Sequence, residues 1–290
     1  MSNIVFFNGA YMPADEARIS IFDGGFLHGA GLFESMRADY GHAFRLDAHI
    51  DRLLHSAEKL GLPIARPDLP LTRDVDELLE RNDLDTARLR LTVTVGSMLA
   101  SAIDAERPAL TVCLTAAALP PYPAELYARG MSVLVTTFKQ SPSDPMCGHK
   151  TLNYLPRLLA LRSAQRMQCG EALWFTPQNQ LAEGSISNVF VAKSGAIATP
   201  PLQTPVLPGV SRAVVLELAG AAGIAAEEKP LNINDLLDAD EVFLTNSSMM
   251  VMPVVRVEKH DIGTGKPGPL AQKLRAAFVE LVRKECGPRA

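Results

Sequence analysis

The sequence is poor in the features that would tie it to a disulfide frame, a membrane or a nucleic acid. Its four cysteines, Cys113, Cys147, Cys169 and Cys286, lie far apart and form no CxxC pair. That spacing excludes a small disulfide scaffold and a cysteine zinc site, and it reads as the reduced thiols of a cytoplasmic protein. Apolar runs are short, Ala116–Leu119 and Val133–Val135 among them, against the ~18 residues a membrane helix needs. Residues Met1–Ala14 show no basic stretch followed by an apolar one, so no secretory leader is expected. Charge is nearly balanced, 28 Lys and Arg against 32 Asp and Glu for a net of −4, which argues against a nucleic-acid or polybasic membrane partner. No HExxH, Walker A or EF-hand spacing occurs, and metal chemistry has no support. What is there is a chain of 290 residues, 47% of them apolar, with a mean hydropathy of +0.09. That length and composition exclude disorder and suggest about two domains with a real core.

Strand and helix signals alternate through the first 118 residues. Ile4–Phe7, Ala43–Leu46, Arg88–Val95 and Ala109–Thr115 read as strands, the third by its alternation of Arg and Thr with Leu and Val. A helix is predicted from an Asp47 cap to Gly61, burying Ile50, Leu53, Leu54, Ala57 and Leu60. The stiff run Leu119-Pro120-Pro121-Tyr122-Pro123 marks a domain boundary. Residues 1–118 are therefore expected to form a small α/β domain, 119–130 a linker, and 131–290 a larger strand-rich domain. In that larger part strands are predicted at Met131–Thr137, Ala172–Phe175, Asn188–Ala192, Ala196–Thr199, Glu241–Thr245 and Val251–Val257. Helices are predicted up to Met167, over Ser211–Ala222 and from Pro269 to Lys284.

Two motifs mislead. Gly263-Thr264-Gly265-Lys266-Pro267-Gly268 matches GxGxxG, but Pro267 spoils the helix entry and too little chain follows for a βαβ unit. Gly209-Val210-Ser211-Arg212-Ala213 falls one residue short of a serine-hydrolase elbow, and beyond a distant His260 nothing supports a triad.

Three other segments fit one chemistry. Gly148-His149-Lys150-Thr151-Leu152-Asn153-Tyr154 sets a lysine between a loop and a helix start; on its own this could be a solvated lysine. Leu181-Ala182-Glu183-Gly184-Ser185-Ile186-Ser187-Asn188-Val189-Phe190 sets an acid on a turn that enters an apolar strand. Leu207-Pro208-Gly209-Val210-Ser211-Arg212 opens a helix, whose free N–H groups and hydroxyl suit a phosphate, although Ser211 could equally be an ordinary cap. A lysine for a Schiff base, an acid for a pyridine nitrogen and an anion cradle are what pyridoxal phosphate requires. The acid keeps the ring able to accept electrons, and the lysine carries a proton.

With Ile197-Ala198-Thr199, these runs resemble the signature of the class IV (fold-type IV) aminotransferases. That family includes branched-chain and D-amino acid aminotransferases, (R)-selective amine transaminases and aminodeoxychorismate lyases. The resemblance extends over Asp23-Gly24-Gly25-Phe26-Leu27-His28-Gly29-Ala30-Gly31-Leu32-Phe33-Glu34, His49-Ile50-Asp51-Arg52-Leu53 and Thr245-Asn246-Ser247-Ser248. It implies two α/β domains, the larger a strand-rich pseudo-barrel, with pyridoxal 5'-phosphate between them in a homodimer. By resemblance Lys150 is the Schiff-base lysine, Glu183 pairs with the pyridine nitrogen, and Arg52, Val210, Ser211 and Ser247 hold the phosphate. Tyr154 faces the phenolic oxygen. The Ser247–Ser248 turn resembles the backbone donors for a substrate α-carboxylate, and His28, Phe33, Ser35, Arg90 and Met249 are the further candidates around the substrate, an amino donor and a 2-oxo acid acceptor.

Within the family the pattern is mixed. His28 stands where the branched-chain enzymes carry tyrosine, and Ser35 where they carry glycine. Asn246-Ser247-Ser248-Met249-Met250-Val251-Met252-Pro253 resembles the turn of the lyases, while Glu183-Gly184-Ser185-x-Ser187-Asn188 has the form of the D-amino acid transaminases. A transaminase and a lyase releasing 4-aminobenzoate and pyruvate both remain open; a non-catalytic binding module would not need Lys150, Glu183 and Arg52 together. Met249, Met250 and Met252 suit either an apolar pocket wall or core packing. Arg90 is the nearby cation for a second substrate carboxylate, and monocarboxylic substrates with apolar or aromatic side chains are the expected preference.

Overall fold

The structure, a computed structural model, describes residues 3–99 and 109–288. The chain divides into two units: Met1–Pro120 with His149–Asn153 and Val282–Ala290, and Pro121–Gly148 with Tyr154–Leu281.

The first unit contains β1 (Ile4–Phe7), β2 (Ala10–Pro13), α1 (Gly24–His28), β3 (Gly31–Asp39), β4 (His42–Ala43), α2 (Leu46–Lys59), α3 (Thr72–Arg81), β5 (Ala87–Thr94) and β6 (Thr111–Ala118). Its strands form an antiparallel sheet in the order β2-β1-β6-β5-β3-β4. On β5, Leu89, Leu91 and Val93 are buried whereas Arg88 and Arg90 are exposed, the alternation of a sheet covered on one face. Helix α2 covers that face through Ile50, Leu53 and Ala57, which join Leu89, Leu91 and Leu114 in one core. Complete burial of a side chain such as Ile50 contributes roughly 1.5–3 kcal/mol. The predicted strand over 43–46 is cut short by Arg45, whose backbone turns left-handed (φ 54°) and precedes the helix. Asp47 lies inside the first turn, where its charge complements the helix dipole, and is not the cap.

The second unit contains α4 (Ala124–Arg129), β7 (Met131–Lys139), α5 (Leu155–Arg166), β8 (Glu171–Phe175), β9 (Leu181–Gly184), β10 (Asn188–Lys193), β11 (Ala196–Thr199), α6 (Val210–Ala221), β12 (Ala226–Glu228), α7 (Ile233–Leu237), β13 (Glu241–Asn246), β14 (Met250–Val257), β15 (His260–Asp261) and most of α8 (Pro269–Cys286). One mixed sheet runs β12-β11-β10-β13-β14-β7-β8-β9, with β15 on β14. Strands β9 and β10 are far apart along that path yet joined by a short turn, in which Gly184 N–H donates to Ser187 O at 2.7 Å. The sheet is therefore curled. Phe190 and Phe243, cross-strand partners on β10 and β13, are fully buried and stack with ring centroids 5.0 Å apart, on the face opposite Val189, Val191, Val242 and Leu244.

Several boundaries differ from the sequence reading: the expected linker carries α4 and, from Pro121 on, belongs to the second unit, and Val282–Ala290 belongs to the first. Glu183 lies in a strand, β9, every residue of which is buried, and not on an open turn. Residues 149–153 belong to the first unit although the chain order places them in the second. The reason is pairing: β4 reaches only Ala38 and Asp39 of β3, and residues 150–152 take the opposite end of that edge. Phe33 N–H donates to Lys150 O at 2.9 Å, Leu152 N–H donates to Gly31 O at 3.0 Å, and Thr151 bridges Leu32.

Candidate active site

In the first unit the chemistry gathers on both faces of β3. Phe33 and Ser35 point to one face and Glu34 to the other, by the two-residue repeat of a strand. Glu34, 1% exposed, accepts from Arg52 Nε at 2.8 Å, from Arg52 Nη2, and from His49 Nδ1 at 2.9 Å. His49 and Arg52 are three residues apart on α2, so they share one face of the helix. Burial works against the Glu34 charge, but the Arg52 guanidinium and the His49 hydrogen bond outweigh it and hold the carboxyl at about 2. Burial pushes the His49 ring down, against the pull of Glu34, and the Nδ1 proton is assigned to the bond with Glu34. A solvated Arg52 is excluded; its side chain is 9% exposed.

On the other face the Phe33 ring meets two cations. Lys150 Nζ lies 4.5 Å and the Arg90 guanidinium carbon 4.0 Å from its centroid. Ser35 is the direct cross-strand partner of Arg90. Gly31 is required here, since a Cβ would stand 2.5 Å from Val93 O and 2.9 Å from Leu152 Cδ1. His149 anchors the lysine segment to α2 through Ser56 Oγ at 2.9 Å. His28 is exposed at the end of α1, next to Gly29, against which Asn153 packs.

In the second unit Glu183, 2% exposed, receives four donors. Arg157 Nη2 at 2.6 Å and Gln140 Nε2 at 2.9 Å bond Oε1; Leu207 N–H at 2.9 Å and Asn188 Nδ2 at 3.3 Å bond Oε2. Both oxygens act as acceptors, with the Arg157 guanidinium as the charged partner. Tyr154 sits just before α5, and its hydroxyl donates to Ser185 O at 3.0 Å. Helix α6 starts beside this cluster: a Cβ on Gly209 would collide with Asn188 Oδ1. Gly209 is its cap residue and supplies no side chain, so the N–H groups of Val210 and Ser211 open the helix without a side-chain acceptor. Ser211 is inside the helix and buried, which removes the reading of it as an ordinary cap. Thr245, the cross-strand partner of Asn188, is buried with a hydroxyl that finds no partner among the described residues.

The β13–β14 turn bears on two of the readings. The Ser248 N–H is not presented outward; it and the Met249 N–H both donate to Asn246 Oδ1 at 2.9 Å. Met249 and Met252 pack in the hydrophobic core of the second unit, which favours the packing reading over a pocket wall. Ser247 lies half-buried in that turn. The structure thus gathers Phe33, Ser35, Arg90 and Lys150 in the first unit, with Arg52 across β3, and Tyr154, Glu183, Val210 and Ser211 in the second. Sequence reasoning assigned no role to Glu34, His49, Gln140 or Arg157; only Glu34 and His49 lay in runs it had singled out.

Two strand-rich α/β units, one presenting a lysine and the other a buried acid beside an open helix start, have the character of an enzyme. The description "amino-transferase class IV" fits residues 31–257 as a family model. A D-alanine aminotransferase of Bacillus licheniformis is 33% identical over 286 residues, 97% of this chain and 98% of that one. An aminodeoxychorismate lyase of Bacillus subtilis is 30% identical over 291 residues, 99% of this chain and 98% of that one. A branched-chain amino acid aminotransferase from T.th., solved with pyridoxamine 5'-phosphate, superposes with a TM-score of 0.88 at 25% identity, covering 99% of this chain and 96% of that one. The chain belongs to the class IV aminotransferase family, and it has that family's fold. It is an enzyme of the aminotransferase class.

Proposed function

We propose that this enzyme is a pyridoxal phosphate-dependent transaminase that moves an amino group between an amino acid or amine and a 2-oxo acid. The observation that carries the reading is the Glu183 cluster: a buried carboxylate paired with Arg157 beside a helix start that, among the described residues, has no side-chain cap. A pyridinium N–H suits the first and a phosphate suits the second. The buried Thr245 hydroxyl, without a partner among the described residues, adds a further donor for an anion.

In this reading Arg52 and the α6 start with Val210, Ser211 and Ser247 would hold the phosphate, Glu183 the ring nitrogen and Tyr154 the phenolic oxygen. Once bound, the cofactor supplies an aldehyde carbon for an amine and a ring that accepts electrons. Lys150 provides that amine and, once released by the substrate's amino group, carries the proton at the substrate Cα. Glu34 directs the Arg52 guanidinium through the Nε and Nη2 bonds described above. His28, Phe33, Ser35 and Arg90 line the substrate side. The enzyme is expected to work in the cytoplasm as a homodimer; among the described residues no helix is long and apolar enough to cross a membrane.

A second reading rests on the Asn246 turn and on the Bacillus subtilis relative: a lyase that forms 4-aminobenzoate and pyruvate from aminodeoxychorismate. One panel separates them. The loaded protein is incubated with leucine, alanine, phenylalanine and glutamate of both hands, and formation of the pyridoxamine cofactor is followed. Conversion by an amino acid supports the transaminase, and the expected order favours apolar and aromatic monocarboxylic substrates. No conversion, with 4-aminobenzoate released from aminodeoxychorismate, overturns it. Fastest conversion with glutamate, lost in Arg90→Ala, shows instead that Arg90 receives a second carboxylate.

A further inference from the structure

We propose that Arg157 is a positioning residue that fixes the Glu183 carboxylate so that its Oε2 faces the pyridine nitrogen. The inference rests on the pyridoxal phosphate reading above. Arg157 lies in the first turn of α5. Its Nη2 donates to Glu183 Oε1 at 2.6 Å, and its Nη1 to the carbonyl oxygens of Gly184 at 3.1 Å and Ser185 at 3.2 Å. One planar guanidinium therefore grips both the carboxylate and the backbone immediately after it. A lysine ammonium, a point charge without that fork, cannot reproduce the arrangement.

The grip is itself held. The guanidinium carbon stands 5.6 Å from the ring centroid of Trp174 and 5.9 Å from that of Tyr154. Trp174 is locked by its own Nε1–H, which donates to Ser185 Oγ at 2.9 Å. Although burial opposes the Arg157 charge, the neighbouring Glu183 outweighs it and raises the guanidinium's hold on its proton.

The four donors on Glu183 are unequal. Oε1 carries the two shorter side-chain bonds, from Arg157 at 2.6 Å and Gln140 at 2.9 Å. Oε2 carries the Leu207 N–H at 2.9 Å and the Asn188 amide at 3.3 Å, the longest of the set. Asn188 Nδ2 also donates to Leu207 O at 2.9 Å, so it keeps a partner when it leaves the carboxylate. Oε2 is thus the oxygen that can take a new donor, and Arg157 is the group that keeps Oε1 turned away.

The test uses apo-protein reloaded with pyridoxal phosphate labelled with ¹⁵N in the ring. Two quantities are read, the cofactor dissociation constant and the ¹⁵N shift of the bound ring. Loss of a charge-assisted contact that orients the acid is expected to weaken cofactor binding by ~10-fold or more in Arg157→Gln. The ¹⁵N resonance should move toward the unprotonated position. In a Glu183→Gln background, adding Arg157→Gln should change either quantity by less than about twofold, because Arg157 acts through that acid. Arg157→Lys, which keeps the charge and loses the fork, should fall between wild type and Arg157→Gln, and it carries the test if the Gln variant does not fold. Wild-type values of both quantities in a folded Arg157 variant, or a full effect in the Glu183→Gln background, overturn the assignment. A wild-type protein that takes up no pyridoxal phosphate overturns the proposed function itself, and Arg157 with it.

Discussion

Replacing Glu34 with glutamine removes one charge from the interior of the first unit and changes little else in shape. Glu34 accepts from both Arg52 and His49 and is 1% exposed. Its carboxyl is held at about 2, against an ordinary value of 4.5. A difference of this size corresponds to about 3 kcal/mol between the charged and neutral forms in the folded state. Because the folded value is depressed, that contribution is complete above the unfolded value, near pH 5, and is lost as the pH falls toward 2. Glutamine imitates the protonated form. Urea unfolding of wild type and Glu34→Gln, followed by far-UV circular dichroism from pH 7 to pH 2, should therefore give two curves that converge. The expected gap is about 3 kcal/mol at pH 7, shrinking toward zero near pH 2. His49, pushed down by burial against the pull of Glu34, also costs stability as pH falls below its unfolded value, and it costs more in Glu34→Gln, where that pull is gone, so the gap begins to close only as Glu34 itself is protonated. A gap that stays constant from pH 7 to pH 2 would refute the idea that ionised Glu34 holds Arg52.

Other substitutions probe the remaining parts. Arg52→Ala should weaken cofactor affinity by ~10–100-fold, the loss of one charge-assisted phosphate contact, as read by equilibrium titration of apo-protein. Unchanged affinity with collapsed turnover would reassign Arg52 to the substrate. Glu183→Gln should still take up the cofactor yet lose ~10²–10³ in kcat, since an amide cannot hold the ring nitrogen protonated. Near wild-type turnover would show that another group serves the ring. Gly209→Ala drives a Cβ into Asn188 Oδ1 and sets it 3.2 Å from Arg212 Cβ. It should lower both the urea midpoint and the cofactor affinity, and a variant matching wild type in both would show that the α6 start has room to spare.

Much of this arrangement is legible in the chain because it is local. The alternation on β5 and the apolar face of α2 carry their own periodicity, and Ile4–Phe7 and Ala196–Thr199 are strands with the predicted bounds. Strand β3 gave no such signal: Leu32, Phe33, Glu34 and Met36 are all buried, so both faces are covered and polarity does not alternate. The 149–153 segment was assigned to the wrong unit because its pairing with Gly31–Phe33 spans more than a hundred residues. Glu183 and Lys150 stand out as residue types in short motifs. Arg157 does not, because its partner is 26 residues away and only the fold of β9 against α5 joins them. The Ser248 turn misled for a related reason. By resemblance its backbone donors face a substrate carboxylate, whereas here the Asn246 side chain accepts from the Ser248 and Met249 N–H groups.

The most direct test of the central claim is chemical labelling of Lys150. Protein loaded with pyridoxal phosphate is treated with borohydride, digested, and the modified peptide identified by mass. Lys150, presented beside Phe33 at the edge of β3, should carry the reduced cofactor at close to one equivalent per chain, and Lys150→Ala should carry none. Label on any other lysine, or equal label in Lys150→Ala, contradicts the account.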